Sequence, residues 1–237
     1  MKNKLIVTVS LISVLLVGLF IFIQRPWQSF HRIAPDRETI NSVIEKYGEA
    51  AEKRLIPYFE KAGIDYPPES LILLALKDEK RLELWTRKEN FRSLIKSYDI
   101  QAASGVAGPK LREGDHQVPE GFYRILSLNP NSSYHLSMEL NYPNEFDLEH
   151  AAHEGRTQPG FDIYIHGKAE SVGCLAMGDE AIEELFTLAY RTGINSIEVI
   201  IAPSDPRKTV LVKPDHLQQD WINVLYRELS AEIQKYQ

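Results

Sequence analysis

The chain has 237 residues, 43% of them hydrophobic and 25% charged, with a formal net charge of -6. That length suffices for one sizeable core plus appendages, in the composition of an ordinary globular protein. The acidic balance, with no basic block, speaks against nucleic acid as a partner and otherwise serves solubility.

Lys2 and Lys4 precede an uncharged apolar stretch from Leu5 to Ile23, which Arg25, Pro26 and Trp27 end. A membrane-spanning helix needs about 20 such residues. A secretory signal peptide has a shorter core and a small-x-small cleavage site, which Gln24 to Gln28 do not offer. Residues 1–26 therefore predict an uncleaved signal anchor with a cytoplasmic N-terminus, and the rest of the chain beyond the membrane. Residues 27–66 read as a helical stalk. Asp36 can cap it, and Ile40, Val43, Ile44, Tyr47, Ala51, Leu55, Tyr58 and Phe59 recur at helical spacing. Pro57 is expected to kink or divide this helix.

Tyr66-Pro67-Pro68 marks a boundary, after which the period changes. Leu71 to Leu76 is a short apolar run, and Arg81 to Trp85 alternates as a half-buried strand does. Further strands are predicted at Phe91–Ile100, Phe122–Leu128, His135–Leu140, Phe161–Ile165 and Ile197–Ala202. Gly105, Gly108, Pro109, Gly114 and Pro119 punctuate a long loop. Asp179 to Arg191 reads as an amphipathic helix stopped by Gly193, and Asp215 to Tyr236 as a C-terminal helix. The expected architecture is α+β. A mainly β domain over 67–204 carries peripheral helices, follows an N-terminal anchor and stalk, and ends in a helical extension over 205–237.

The lone cysteine, Cys174, cannot form an internal disulfide. It is either a small buried hydrophobe or a thiol nucleophile. His166 is the candidate base, placed by the strand before it. Gly167 lets the chain turn there, and Ser171 can orient the imidazole or shape the loop. Backbone N–H groups at Gly173 and Cys174 can face an oxyanion. Asp162 and Tyr164 read as the polar face of the strand. Lys110, Arg156 and Lys168 are candidates for a substrate carboxylate, although such residues taken singly are more often ordinary solvated surface charges. His150 and His153 share a helical face and admit a zinc alternative, but the spacing is not His-Glu-x-x-His. No phosphate-binding or dinucleotide fingerprint is present.

Two stretches carry a family resemblance. Ile165-His166-Gly167…Ser171-Val172-Gly173-Cys174-Leu175-Ala176-Met177 resembles the active-site signature of the L,D-transpeptidases, the YkuD-type catalytic domain. Ser104-Gly105-Val106-Ala107-Gly108-Pro109-Lys110, with Val118-Pro119-Glu120-Gly121-Phe122-Tyr123 beyond it, resembles the loop and strand upstream of that signature. The resemblance spans roughly Ser70 to Ala202. It implies acyl transfer on peptidoglycan stem peptides through a Cys174 thioester, with His166 as base and the Gly167 backbone orienting it. It implies no cofactor and no catalytic metal, and it leaves protein partners unknown. Val172 stands where many members have histidine, and Leu175-Ala176 where many have Arg or Asn, as in a YafK-like branch. With the anchor, the expected location is the bacterial inner membrane, with the catalytic domain in the periplasm or cell-wall space. The alternatives are the same thiol chemistry with water as acceptor, a hydrolase cutting bonds at diaminopimelate, and a peptidoglycan-binding module that cuts nothing.

Overall fold

The computed structural model describes residues 37–88 and 91–237, and its organising element is β1 (Leu71–Leu76). This strand is an unbroken apolar run because both of its faces are covered. Leu71, Leu73 and Ala75 join one core cluster, and Ile72, Leu74 and Leu76 join another. The remaining strands are β2 (Arg81–Lys88), β3 (Phe91–Asp99), β4 (Ala102–Ala103), β5 (Gly121–Ser132), β6 (His135–Leu140), β7 (Tyr164–His166), β8 (Leu175–Ala176) and β9 (Ile197–Ala202). They form one sheet in the order β3-β2-β1-β9-β5-β6-β7-β8-β4. The long β5 joins its halves: Gly121–Arg124 pair with β9, and pairing with β6 begins at Ile125. Register shifts after Ile125 and Asn129 bend this strand.

Among the described residues, four α-helices accompany the sheet: α1 (Ile40–Ala62), α2 (Glu145–His153), α3 (Asp179–Thr192) and α4 (Trp221–Ile233). The cap of α1 is Thr39, whose hydroxyl accepts from the Ser42 N–H; Asp36, the expected cap, lies outside the described residues. The helix continues through Pro57 without dividing. Nor does it stand apart as a stalk. Val43, Ile44, Leu55 and Phe59 bury into the core with Ile182 and Phe186 of α3, because an amphipathic helix needs an apolar partner for its stripe. Arg54 fastens the two helices, its Nε 2.8 Å from the buried Glu184 carboxylate.

The C-terminal helix is likewise no appendage. Ile222, Leu225, Tyr226, Leu229 and Ile233 cover Ile72, Leu74, Leu76 and Ile200 on the opposite sheet face. Residues Glu38–Gln237 thus form one compact unit. The expected anchor over 1–26 lies outside the described residues. Among the described residues, no helix is long and apolar enough to cross a membrane.

Candidate active site

Parallel pairing of β7 with β8 explains how two residues eight positions apart meet. Ile165 lies opposite Leu175 and His166 opposite Ala176, which sets Cys174 beside Tyr164. Because strand side chains alternate, Tyr164, His166, Cys174 and Ala176 share a face. β7 is shorter than the alternation from Phe161 predicts. Asp162 takes a left-handed backbone, φ 57°, and the ladder starts only after it.

His166 and Cys174 line one cavity of about 340 Å³ with Asn129, Tyr134, Ser137, Asp162 and Tyr164. His166 is buried, and its Nδ1 lies 2.7 Å from the Gly167 carbonyl oxygen. A carbonyl only accepts, so Nδ1 carries the proton and Nε2 is the basic nitrogen. The Tyr134 ring lies against the imidazole, centroids 4.5 Å apart. Burial lowers the His166 pKa below 6.5, partly opposed by the Gly167 contact. Burial pushes the Cys174 thiol above its ordinary value, and the Asp162 carboxylate adds to that. The Tyr164 N–H and, at longer range, Lys110 oppose it. At neutral pH the pair therefore rests as a neutral thiol and a neutral imidazole.

Glycine at 167 is a matter of space. A Cβ there would stand 2.7 Å from both the Tyr134 carbonyl oxygen and the Asp179 carboxylate. Gly173 is needed for its backbone, φ 104°. Its N–H donates to the Ser104 hydroxyl at 2.6 Å. That bond removes Gly173 from the oxyanion donors expected from the sequence. Ser171 does not orient the imidazole; its hydroxyl donates to the Cys174 carbonyl at 2.7 Å and accepts from the Ser104 N–H. Ser104 is thus the partner that holds the cysteine loop. Ser104 opens the second stretch that carries the resemblance, but its tie to Gly173 is not legible in local pattern, because 69 positions separate the two.

Two of the three candidate cations are engaged elsewhere. Lys110 is buried, with its ammonium on Asp115 at 2.5 Å and on the Arg112 carbonyl. Arg156 pairs with Glu154 at 2.7 Å and donates to the Leu111 carbonyl. Both brace the 104–120 loop region and do not line the cavity. Lys168 is exposed, with its Nζ 5.7 Å from the Tyr134 ring centroid and donating to the Ser133 carbonyl. His150 is stacked on Trp221, ring centroids 4.6 Å apart, and the described residues hold no group of three or more His, Cys, Asp or Glu placed for a metal.

The 104–120 loop is pinned from below. Buried Lys77 reaches Glu120 at 2.8 Å and the carbonyls of Gly108 and Val118, while Glu120 accepts from Tyr226 of α4. The C-terminal helix is in this way connected to the loop that carries Ser104.

Two curated relatives, YafK of Escherichia coli strain K12 and of Escherichia coli O157:H7, each named as a candidate L,D-transpeptidase, are 37% identical over 132 residues. That alignment covers 54% of this chain, which spans about half, 51%, of the relatives' length. Among solved structures, the helical cell shape determining protein Pgp2 from Campylobacter jejuni is similar at 22% identity. Its TM-score is 0.47, over 57% of this chain and 48% of that one. Bd1075 of Bdellovibrio bacteriovorus is similar at 17% identity with a TM-score of 0.41, over 69% of this chain and 55% of that one. The YkuD family model, that of the L,D-transpeptidase catalytic domain, matches residues 70–210, more than half of the chain, and the chain belongs to that family.

Proposed function

We propose that this protein is a thiol acyltransferase that acts on peptidoglycan stem peptides through a Cys174 thioester. The observation that carries the proposal is the shared cavity of Cys174 and His166, with Nδ1 committed to Gly167 and Nε2 left as the base. His166 Nε2 takes the thiol proton as Sγ attacks the peptide carbonyl on diaminopimelate. The tetrahedral adduct collapses, and the leaving D-amino acid takes that proton on its amine. An acceptor amine then gives a proton to Nε2, attacks the thioester and releases the Cys174 thiol. The neutral resting pair suits this order, since the thiolate forms only as the carbonyl arrives. The Cys174 N–H remains the backbone donor assigned to the oxyanion, and Lys168 is the cation assigned to a substrate carboxylate.

Residues 1–26 would hold the chain in the bacterial inner membrane with the catalytic domain in the periplasm. The apolar stretch from Leu5 to Ile23 supports this.

The test is incubation of the full chain with purified sacculi, alongside Cys174→Ala, and mass spectrometry of the muropeptides. New cross-linked or amino-acid-exchanged products, absent in the variant, are expected. Shortened stems without new bonds would identify water as the acceptor. No change with either protein would refute the proposal.

A further inference from the structure

We propose that Asp162 is a specificity-determining residue of the Cys174 cavity, its carboxylate receiving an ammonium group of the peptide substrate. This rests on the function proposed above and names the part of the substrate that the site selects.

Asp162 is exposed and lines the cavity together with Cys174, Tyr164 and His166. Its backbone carbonyl accepts from the Cys174 thiol at 3.7 Å, so Asp162 and the nucleophile are neighbours in the cavity wall. Its left-handed backbone is a conformation that aspartate tolerates better than most residues, and it ends the strand at the rim of the cavity. The carboxylate receives one long contact, from the Tyr164 hydroxyl at 3.4 Å, and among the described residues it enters no ion pair.

An unpaired anion beside a thiol nucleophile is costly to the chemistry. Its field opposes the thiolate and works against the Tyr164 N–H and the more distant Lys110. A cation supplied by the substrate removes that opposition. On binding, an ammonium neutralises the carboxylate, and the thiol then loses its proton to His166 more readily. A diaminopimelate residue fits this chemistry. Its side chain ends in an ammonium-bearing carbon, a short methylene chain away from the carbonyl under attack. The cavity of about 340 Å³ has room for such a side chain beside the thiol. Asp162 is thus a selector that couples occupancy by the right side chain to activation of the nucleophile.

The test compares two tetrapeptide stems with the full chain, one with the free side-chain amine of diaminopimelate and one with that amine acetylated. The substitution is Asp162→Asn, which keeps the shape and tolerates the left-handed backbone. The ratio of kcat/KM for the free over the acetylated peptide should fall roughly ten-fold, the usual scale of a charge-assisted hydrogen bond. In the same variant, Cys174 in the free protein should react faster with iodoacetamide at neutral pH, because the opposing field is gone. Wild-type turnover with a ratio that Asp162→Asn leaves unmoved would overturn the proposal while sparing the acyltransferase. An alkylation rate that does not rise would also overturn it, by separating the carboxylate from the thiol. A wild-type chain inactive on both peptides would remove the proposed function, and this assignment with it.

Discussion

Lys77→Met tests how far a buried ion pair holds the 104–120 loop. The Lys77 and Glu120 side chains are 5% and 0% exposed, and their ion pair is 2.8 Å long. Burial drives the Lys77 pKa down, partly offset by Glu120, so the ammonium is retained by its partners rather than by water. Removing the cation leaves the Glu120 carboxylate buried with only the Gly108 N–H and the Tyr226 hydroxyl, and takes a donor from the carbonyls of Gly108 and Val118, of which Gly108 keeps the Gln117 amide. Breaking a buried pair in this way costs about 3–5 kcal/mol. Lys77→Met/Glu120→Gln should recover a large part of that, because the carboxamide is neutral and still accepts from Gly108. The assay is urea unfolding followed by tryptophan fluorescence, with Trp85 buried beside Tyr236 as reporter. Equal m-values would license the comparison of midpoints. A single-variant loss below about 1 kcal/mol, or a double variant no better than the single, would refute the reasoning.

Other outcomes follow from the same geometry. His166→Ala should lower kcat/KM by roughly 10²–10⁴ while the circular dichroism spectrum is kept. In the wild type, the acid limb of kcat/KM should fall with an inflection below pH 6.5, because burial favours the neutral imidazole. Alkylation of Cys174 should still be rising at pH 9 without a plateau, since burial favours the neutral thiol. An ion pair at rest would instead give fast alkylation at pH 6. Gly167→Ala should cost both stability and turnover, as the new methyl would stand 2.7 Å from the Tyr134 carbonyl; full activity would mean that the loop moves freely. Burial raises the Asp147 pKa from 3.8 to about 6. The folded state therefore binds the extra proton between those values, and stability falls as pH rises through that window. Asp147→Asn should accordingly stabilise the protein at pH 7.5 by up to about 3 kcal/mol and change little at pH 4, as read by denaturation at both pH values.

Much of the architecture was legible in local pattern. The strands at Leu71–Leu76, His135–Leu140 and Ile197–Ala202 and the helix at Asp179 were predicted within a residue or so. Period and apolar content are properties of a window, and a strand covered on both faces reads as an unbroken apolar run wherever it lies in the sheet. Cys174 and His166 were legible as a candidate pair for a similar reason. A single thiol after a glycine, following a strand that ends in histidine, is a short-range arrangement.

What the chain order could not reveal is which groups are already taken. Lys110 and Arg156 look like free cations in sequence, yet Asp115 and Glu154 hold them. Gly173 looks like an oxyanion donor, yet Ser104 takes its N–H across 69 positions. Residues 40–62 look like a stalk and 221–233 like an extension, yet each covers one face of the same sheet. Amphipathic periodicity says that a helix has an apolar stripe and does not say what covers it. The sequence by itself determined most of the elements and the candidate pair, because those depend on neighbours along the chain. Only the tertiary structure decided the partners, because burial and hydrogen-bond satisfaction are settled between segments that meet through folding.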